Sequence, residues 1–429
     1  MRILAVLLLI GSYVSLGQPG ASRLEALYLL FSAGTRPRRY AYRAEAEPDT
    51  NDTAIRQVKF DPVPVVSVGR NENVQEMHRG QVDVRSTGLA TRPSDVPIPV
   101  LYIAGEGRSG STILSAILGN HAGYFPVGEL PDVWQALQTN ELCGCGQPFA
   151  NCPFWRAVGN VAFGGWDSVK IDEILQQEAR YTRHRRIFQL IRQSRVHQAD
   201  AAFHAYCERL GQLYSAIREV SGCSVIVDST KRPPFAMLLR NVPSIELRVV
   251  HLVRDSRGVA FSWNKVGIRN VQYSQHPTLK DSPMPTIRPW KSALRWDLKN
   301  LLIHALIPAS QRLFVRYECF TSEPNRELDR IFQFAEANKM RDRTQVIPTS
   351  TFTSKPFHTL GGNPVRFTRG SIDVRVDAKW HTEMPAMHKL IVGGLTFPLL
   401  FAYGYIAVPW AHSEHTIFGR HPRRTQQEG

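Results

Sequence analysis

The chain has 429 residues, 43% of them hydrophobic, with a mean hydropathy of −0.23. That fits a folded protein able to bury one large α/β domain plus an appendage, or two ordinary domains. Lys and Arg number 52 against 37 Asp and Glu, a net charge of +15 that draws anionic partners such as nucleotides, sulfated or carboxylated glycans and acidic lipid. The basic clusters RHRR (183–186) and RHPRR (420–424) carry no interleaved aromatic residues, which argues against a nucleic-acid binder.

In chain order, residues 1–20 begin MRILAVLLLIGSYVSLG, one early Arg followed by an uncharged apolar run. The run is shorter than the roughly 20 residues of a full span and has the build of a signal peptide or short signal-anchor. Residues 21–96 are polar, punctuated by proline and without a sustained apolar period, the composition of a stem or linker. They contain the only N-x-[ST] acceptor of the chain, Asn51-Asp52-Thr53. An N-terminal anchor and a polar stem together predict a single-pass type II Golgi membrane protein with a lumenal catalytic domain. The rival is a cytoplasmic bacterial protein whose first helix is buried.

Residues 97–411 form the expected folded domain, followed by a basic tail, 412–429. Apolar runs at 99–104, 223–228, 246–253 and 312–318 predict buried parallel strands. Helical patterns cover 111–119, 132–138, much of 168–218, 233–240, 257–266, 288–307 and 324–336. Alternating strands and helices, with polar motifs at the strands' carboxyl ends, predict an open parallel sheet covered on both faces. The uncharged stretch 390–410 contains Gly393-Gly394, Pro398 and Pro409, and is expected to be a C-terminal helix packed on the domain rather than a membrane span. Cys143, Cys145 and Cys152 cluster in LCGCGQPFANCPFW, without the paired C-x-x-C spacing of a zinc site and with no adjacent His. A disulfide or packed thiol cluster is the preferred reading, and no metal is expected.

The chemistry collects at strand ends. In IAGEGRSGST (103–112), Gly105, Gly110 and Thr112 match the phosphate-loop pattern G-x-x-x-x-G-K-[ST], but Ser111 replaces the lysine. Backbone amides of such a turn and of the helix behind it make an anion site, and Arg108 supplies a planar fork suited to phosphate or sulfate oxygens. A second group lies in VRDSRGVAFSW: Arg254 ends a strand and Ser262 lies two turns into the next helix. The two can converge on a further anionic group.

With GRSGST and RDSRGVAFS in this order, the chain resembles the sulfotransferases that use 3′-phosphoadenosine 5′-phosphosulfate (PAPS), in the broad bacterial, carbohydrate and tyrosylprotein branch. The segments VDSTK, CGCG…CPFW and HTLGGNPVRFTRG strengthen the likeness, which covers about residues 98–410. The resemblance implies an α/β, three-layer P-loop-like fold with a central parallel sheet and a helical insertion. It implies that Arg108, Ser109, Gly110, Ser111 and Thr112 hold the 5′-phosphosulfate, and that Arg254, Ser262, Arg366 and Gly370 hold the 3′-phosphate. It places a catalytic base near Glu129, with His121, Asp228 and His251 as alternatives. Lys231 would assist the leaving group, and no metal would take part. A sulfuryl group carries less charge than a γ-phosphate and needs no Mg²⁺ bridge, so a loop without the lysine suits it.

The expected reaction is in-line sulfuryl transfer from PAPS to a hydroxyl, the expected acceptor being an anionic or neutral glycan before a tyrosine or small alcohol. Acceptor specificity is expected from the insertion 132–218 and from the helix carrying Trp290, Arg295 and Trp296, none of which is assigned a role. A P-loop small-molecule kinase and a non-catalytic nucleotide-binding module are the alternatives; Asp228 is the acid that keeps the kinase open.

Overall fold

A computed structural model describes residues 96–183, 187, 190–191, 200–265, 285–336 and 351–406. The expected signal segment 1–20, nearly all of the stem with Asn51, and the basic tail lie outside the described residues.

The first strand, β1 (Ile98–Ala104), runs into the glycine loop and then α1 (Ser111–Gly119); β2 (Tyr124–Gly128) and α2 (Asp132–Thr139) follow. The helical insertion supplies α3 (Pro153–Phe163), α4 (Ile171–Tyr181) and α5 (Ala201–Ser221). Then come β3 (Val225–Lys231), α6 (Pro233–Leu239), β4 (Ile245–Val253), α7 (Ser256–Asn264) and α8 (Pro289–Leu306). The last parallel strand, β5 (Arg312–Arg316), leads into α9 (Tyr317–Ser322) and α10 (Pro324–Ala335). A small antiparallel pair, β6 (Thr351–Ser354) and β7 (Gly370–Asp373), precedes α11 (Trp380–Glu383) and α12 (Ala386–Ala402).

The main sheet has the order β2-β3-β1-β4-β5 and every pairing in it is parallel. Side chains of a strand alternate between faces, and the central strand shows it. Val100, Tyr102 and Ala104 join the core under α2, α3, α5 and α6, whereas Leu101 and Ile103 join a second core under α1, α9 and α10. Apolar residues on both faces explain why the strands read as continuous apolar runs. The three-layer α/β expectation holds.

Local signals set the helix ends. Asp200 caps α5 by accepting from the Phe203 amide at 3.0 Å, and Gly222 (φ 65°) stops it. Proline opens α3, α6, α8 and α10. Several elements differ from expectation. The edge strand β2 and the helix α3 were not foreseen: YFPVG is short and holds a proline, which belongs to edge strands. The short helices α9 and α11 and the β6–β7 pair were not predicted either.

The C-terminal apolar stretch forms α12, packed on α7 and α8 through Val259, Trp296, Leu399 and Leu400, as expected. The Golgi type II placement is corrected: among the described residues no helix is long and apolar enough to cross a membrane.

Candidate active site

Strand order brings the carboxyl ends of β2, β3, β1 and β4 side by side, which is where ligands bind in open parallel sheets. The loop after β1 is the centre. Gly110 has φ 88°, and a Cβ there would sit 2.6 Å from the Tyr317 ring, so conformation and space both demand glycine. Gly110 is also the N-cap of α1 and leaves its first amides without a side-chain cap, and no acid occupies the first turn. The loop therefore presents unopposed N–H groups.

Arg108 also takes a left-handed conformation, φ 70°. Its guanidinium lies 4.8 Å from the centre of the Trp263 ring, and its Nε is buried without a hydrogen-bond partner. Burial pulls the Arg108 guanidinium below its ordinary pKa, and the Glu129 carboxylate opposes that shift. Ser109 is buried with a partnerless Oγ, Ser111 is buried, and Thr112 is half-buried at the head of α1. Buried donors left without partners are expensive, and here they lie together on a loop built to face an anion.

Arg254, at the end of β4, meets this loop directly. Its Nη1 donates to the Arg108 carbonyl at 3.1 Å and its Nη2 to the Asp377 carbonyl at 2.7 Å. The Asp377 carboxylate lies 3.1 Å away and the Tyr317 ring 4.8 Å. Arg254 thus braces the glycine loop from behind. Ser262 is half-buried on α7, one residue before Trp263, the ring beneath Arg108. Asp255 pairs with Arg257 at 2.6 Å rather than with Arg254.

Glu129 follows β2 and Lys231 ends β3, so the parallel pairing of these strands places them together. Lys231 Nζ lies 2.6 Å from Glu129 Oε1 and also donates to the Ser229 carbonyl at 2.8 Å. Both side chains are largely enclosed, 12% and 15% exposed. The Glu129 amide donates to the Leu360 carbonyl at 2.8 Å, and the Leu360 amide donates to the Val127 carbonyl at 3.0 Å. Segment 357–362 is thereby laid along the end of β2. A Cβ on Gly362 would be 3.5 Å from Glu129 Oε1 and 3.6 Å from Thr112 Oγ1, so this segment covers the acid and the loop hydroxyl together.

The other sequence candidates separate. Asp228 is fully buried, with Oδ2 accepting from Tyr214 and Oδ1 from the Thr230 amide and hydroxyl; burial raises its pKa to about 6. Those hydrogen bonds hold it in the core, which removes the acid that kept a kinase open. His251 is fully buried and bonded to Asn300 at 2.7 Å. His121 is buried with its ring edge-on to Phe332. Arg366 borders the pocket beside Thr112 and Gly362. Its guanidinium donates to the Thr359 and Leu142 carbonyls, each at 2.9 Å, and so ties two segments together. Gly370 begins β7 with open space beyond its Cα.

Three groups were missed in the sequence, two of them near the loop. Glu106, buried in the loop, binds Lys299 at 3.0 Å and Arg295 at 3.1 Å. Arg232, next to Lys231, bridges Asp132 at 2.7 Å and Glu178 at 3.0 Å; burial raises Glu178 to about 7, with Arg232 opposing. Both networks join distant segments, which no local motif announces. The third is His358, which the fold carries to the cysteines. Cys143, Cys145, Cys152 and His358 place their donor atoms within 4.8 Å of one another, and all six cysteines are free thiols. The sequence offers no histidine adjacent to these cysteines; the fold supplies one from a remote segment.

No protein-family model matches the chain, and no curated protein matches it. Among solved structures, the chain is similar to the sulfotransferase domain from the Synechococcus PCC 7002 olefin synthase, at 17% identity over 74% of this chain and 99% of that one, TM-score 0.34. It is also similar to the sulfotransferase domain from the curacin biosynthetic pathway, at 15% identity over 71% and 98%, TM-score 0.37.

Proposed function

We propose that the protein is a PAPS-dependent sulfotransferase that moves a sulfuryl group to a hydroxyl acceptor. The reading rests on one observation: partnerless buried donors of a lysine-free phosphate loop lie beside the Glu129–Lys231 pair. The uncapped head of α1 and Arg108 suit the 5′-phosphate, which leaves as part of adenosine 3′,5′-bisphosphate. Glu129 takes the acceptor's hydroxyl proton as the oxygen attacks sulfur. The new O–S bond forms in line with the breaking bond to the 5′-phosphate, whose developing charge falls to Arg108 and Lys231. An anionic glycan acceptor suits the basic balance of the chain.

Calorimetric titration of adenosine 3′,5′-bisphosphate in the absence of Mg²⁺ tests the reading. Binding is expected for the natural chain and roughly ten- to hundredfold weaker for Arg108→Ala, the loss of a charge-assisted contact. Mg²⁺-dependent ATP binding, with none of the bisphosphate, overturns it. Labelled PAPS offered with glycans, tyrosine peptides and small alcohols then identifies the acceptor class.

A further inference from the structure

The cysteine cluster lies apart from the chemistry just described and belongs to a different kind of site. Cys143 and Cys145 occupy a tight turn closed by the Cys143 amide on the Gln147 carbonyl and the Gly146 amide on the Cys143 carbonyl, each 2.8 Å. Cys152 is the N-cap of α3, held by Pro153 at the first helical position. His358 arrives from 206 residues further along the chain.

The donor atoms surround a single point. Cys152 Sγ is 3.7 Å from Cys143 Sγ and 3.8 Å from Cys145 Sγ. His358 Nδ1 is 3.2 Å from Cys152 Sγ and 3.8 Å from Cys143 Sγ. A tetrahedral Zn²⁺ ion, with Zn–S near 2.3 Å and Zn–N near 2.0–2.1 Å, sets its ligands about 3.8 Å apart for two sulfurs and about 3.5 Å apart for sulfur and nitrogen. These four edges scatter around those values, and all four donor atoms lie within 4.8 Å of one another. His358 is held for this by its surroundings: its ring stacks on Phe154 at 4.9 Å and 12°, and its backbone carbonyl accepts from Trp155 Nε1 at 3.1 Å. Three thiolates and a neutral imidazole around Zn²⁺ leave one net negative charge. Arg369 and Arg366, which donate to the Gly144 and Leu142 carbonyls on the same turn, set positive charge against it.

We propose that Cys143, Cys145, Cys152 and His358 bind one Zn²⁺ ion in a closed structural site that fastens segment 357–362 to the cysteine turn. Four protein ligands leave no position for water or substrate, so the ion does not take part in catalysis. Its effect reaches Glu129 through the backbone, because His358 stands two residues before Leu360, the residue paired with both Val127 and Glu129. The proposal is independent of the sulfotransferase reading.

The full chain, purified without added metal or chelator, is analysed by elemental mass spectrometry. About one zinc per chain is expected, lost in Cys152→Ala and in His358→Ala. Where those variants fail to fold, two measurements on the natural chain keep the question open to refutation. Mercurial modification of the thiols releases zinc to a chromogenic chelator in step with loss of three thiols. Exchange with Co²⁺ gives the strong visible bands of a tetrahedral ion together with thiolate-to-cobalt charge transfer. Removing the metal lowers the thermal midpoint by on the order of 5–10 °C, and Zn²⁺ but not Mg²⁺ restores it. A zinc-free folded chain whose cysteines react freely, a disulfide joining Cys145 and Cys152, or an octahedral cobalt spectrum each overturns the proposal.

Discussion

Glu129 and Lys231 meet at 2.6 Å in a largely enclosed setting, an arrangement with two consequences. An ammonium so close holds the carboxylate in place, but it also occupies one of the oxygens a substrate hydroxyl needs. An anionic donor beside Arg108 competes for the lysine, since Lys231 has a flexible stem and three N–H groups to share. Under the proposed function, the pair is therefore a latch that the donor opens. Glu129→Gln is expected to lower kcat by about 10²–10⁴-fold, while calorimetric affinity for adenosine 3′,5′-bisphosphate stays within a few fold. Lys231→Met is expected to lower both kcat and donor affinity, because it removes a charge from the leaving group's side. Equal loss of affinity in the two variants would mean that Glu129 shapes the donor site and is not the base.

Between elements, the decisive joint is the passage of segment 357–362 across the end of β2. Gly128 takes φ 82°, and a Cβ there would overlap the Leu360 carbonyl. Gly128→Ala cannot keep that pairing, so the covering segment must shift away from Glu129. The variant is expected to lose roughly 2–4 kcal/mol in urea denaturation, from left-handed strain and the displaced segment together, with activity falling further than stability alone explains. An alanine tolerated here without loss would detach the segment from the site. The central elements around this joint were legible because their signals are local. PVLYIA, the glycines and STILSAILG each identify themselves within a few residues. The placement of Glu129 was not legible, because it follows β2, a strand too short and proline-marked to be read. His358 and the Arg232 bridge were illegible for a different reason: their partners lie 206, 100 and 54 residues away, and only the sheet order brings them together.

At the scale of the whole molecule, the same sheet that gathers the site buries titratable groups it does not use, and these govern how stability depends on pH. His251 lies within a run of core residues on β4, bonded to Asn300 and packed against His304, Phe314 and Tyr403. Burial lowers its pKa to about 3, against which the Asn300 bond acts weakly; burial likewise lowers His304, to about 2. The folded chain keeps both rings neutral down to those values, whereas the unfolded chain protonates them below about 6.5. Their contribution to stability is therefore full above that value and is lost as pH falls toward 3. Asp228 acts with the opposite sign: its folded pKa of about 6 exceeds the ordinary carboxylate value, so its contribution is full at low pH and is lost as pH rises to about 6. The sum of opposed terms hides each one in the natural chain, and a difference between two chains isolates the histidine. His251→Gln keeps a hydrogen-bonding partner for Asn300 and cannot titrate. Between pH 7 and pH 5 the natural chain is expected to lose about 2 kcal/mol more than this variant, from roughly 1.5 pH units at about 1.4 kcal/mol each. Urea titrations of both chains at the two pH values measure it. Parallel losses would mean that His251 is charged in the folded protein, and that the core around Asn300 is wetter than its burial implies.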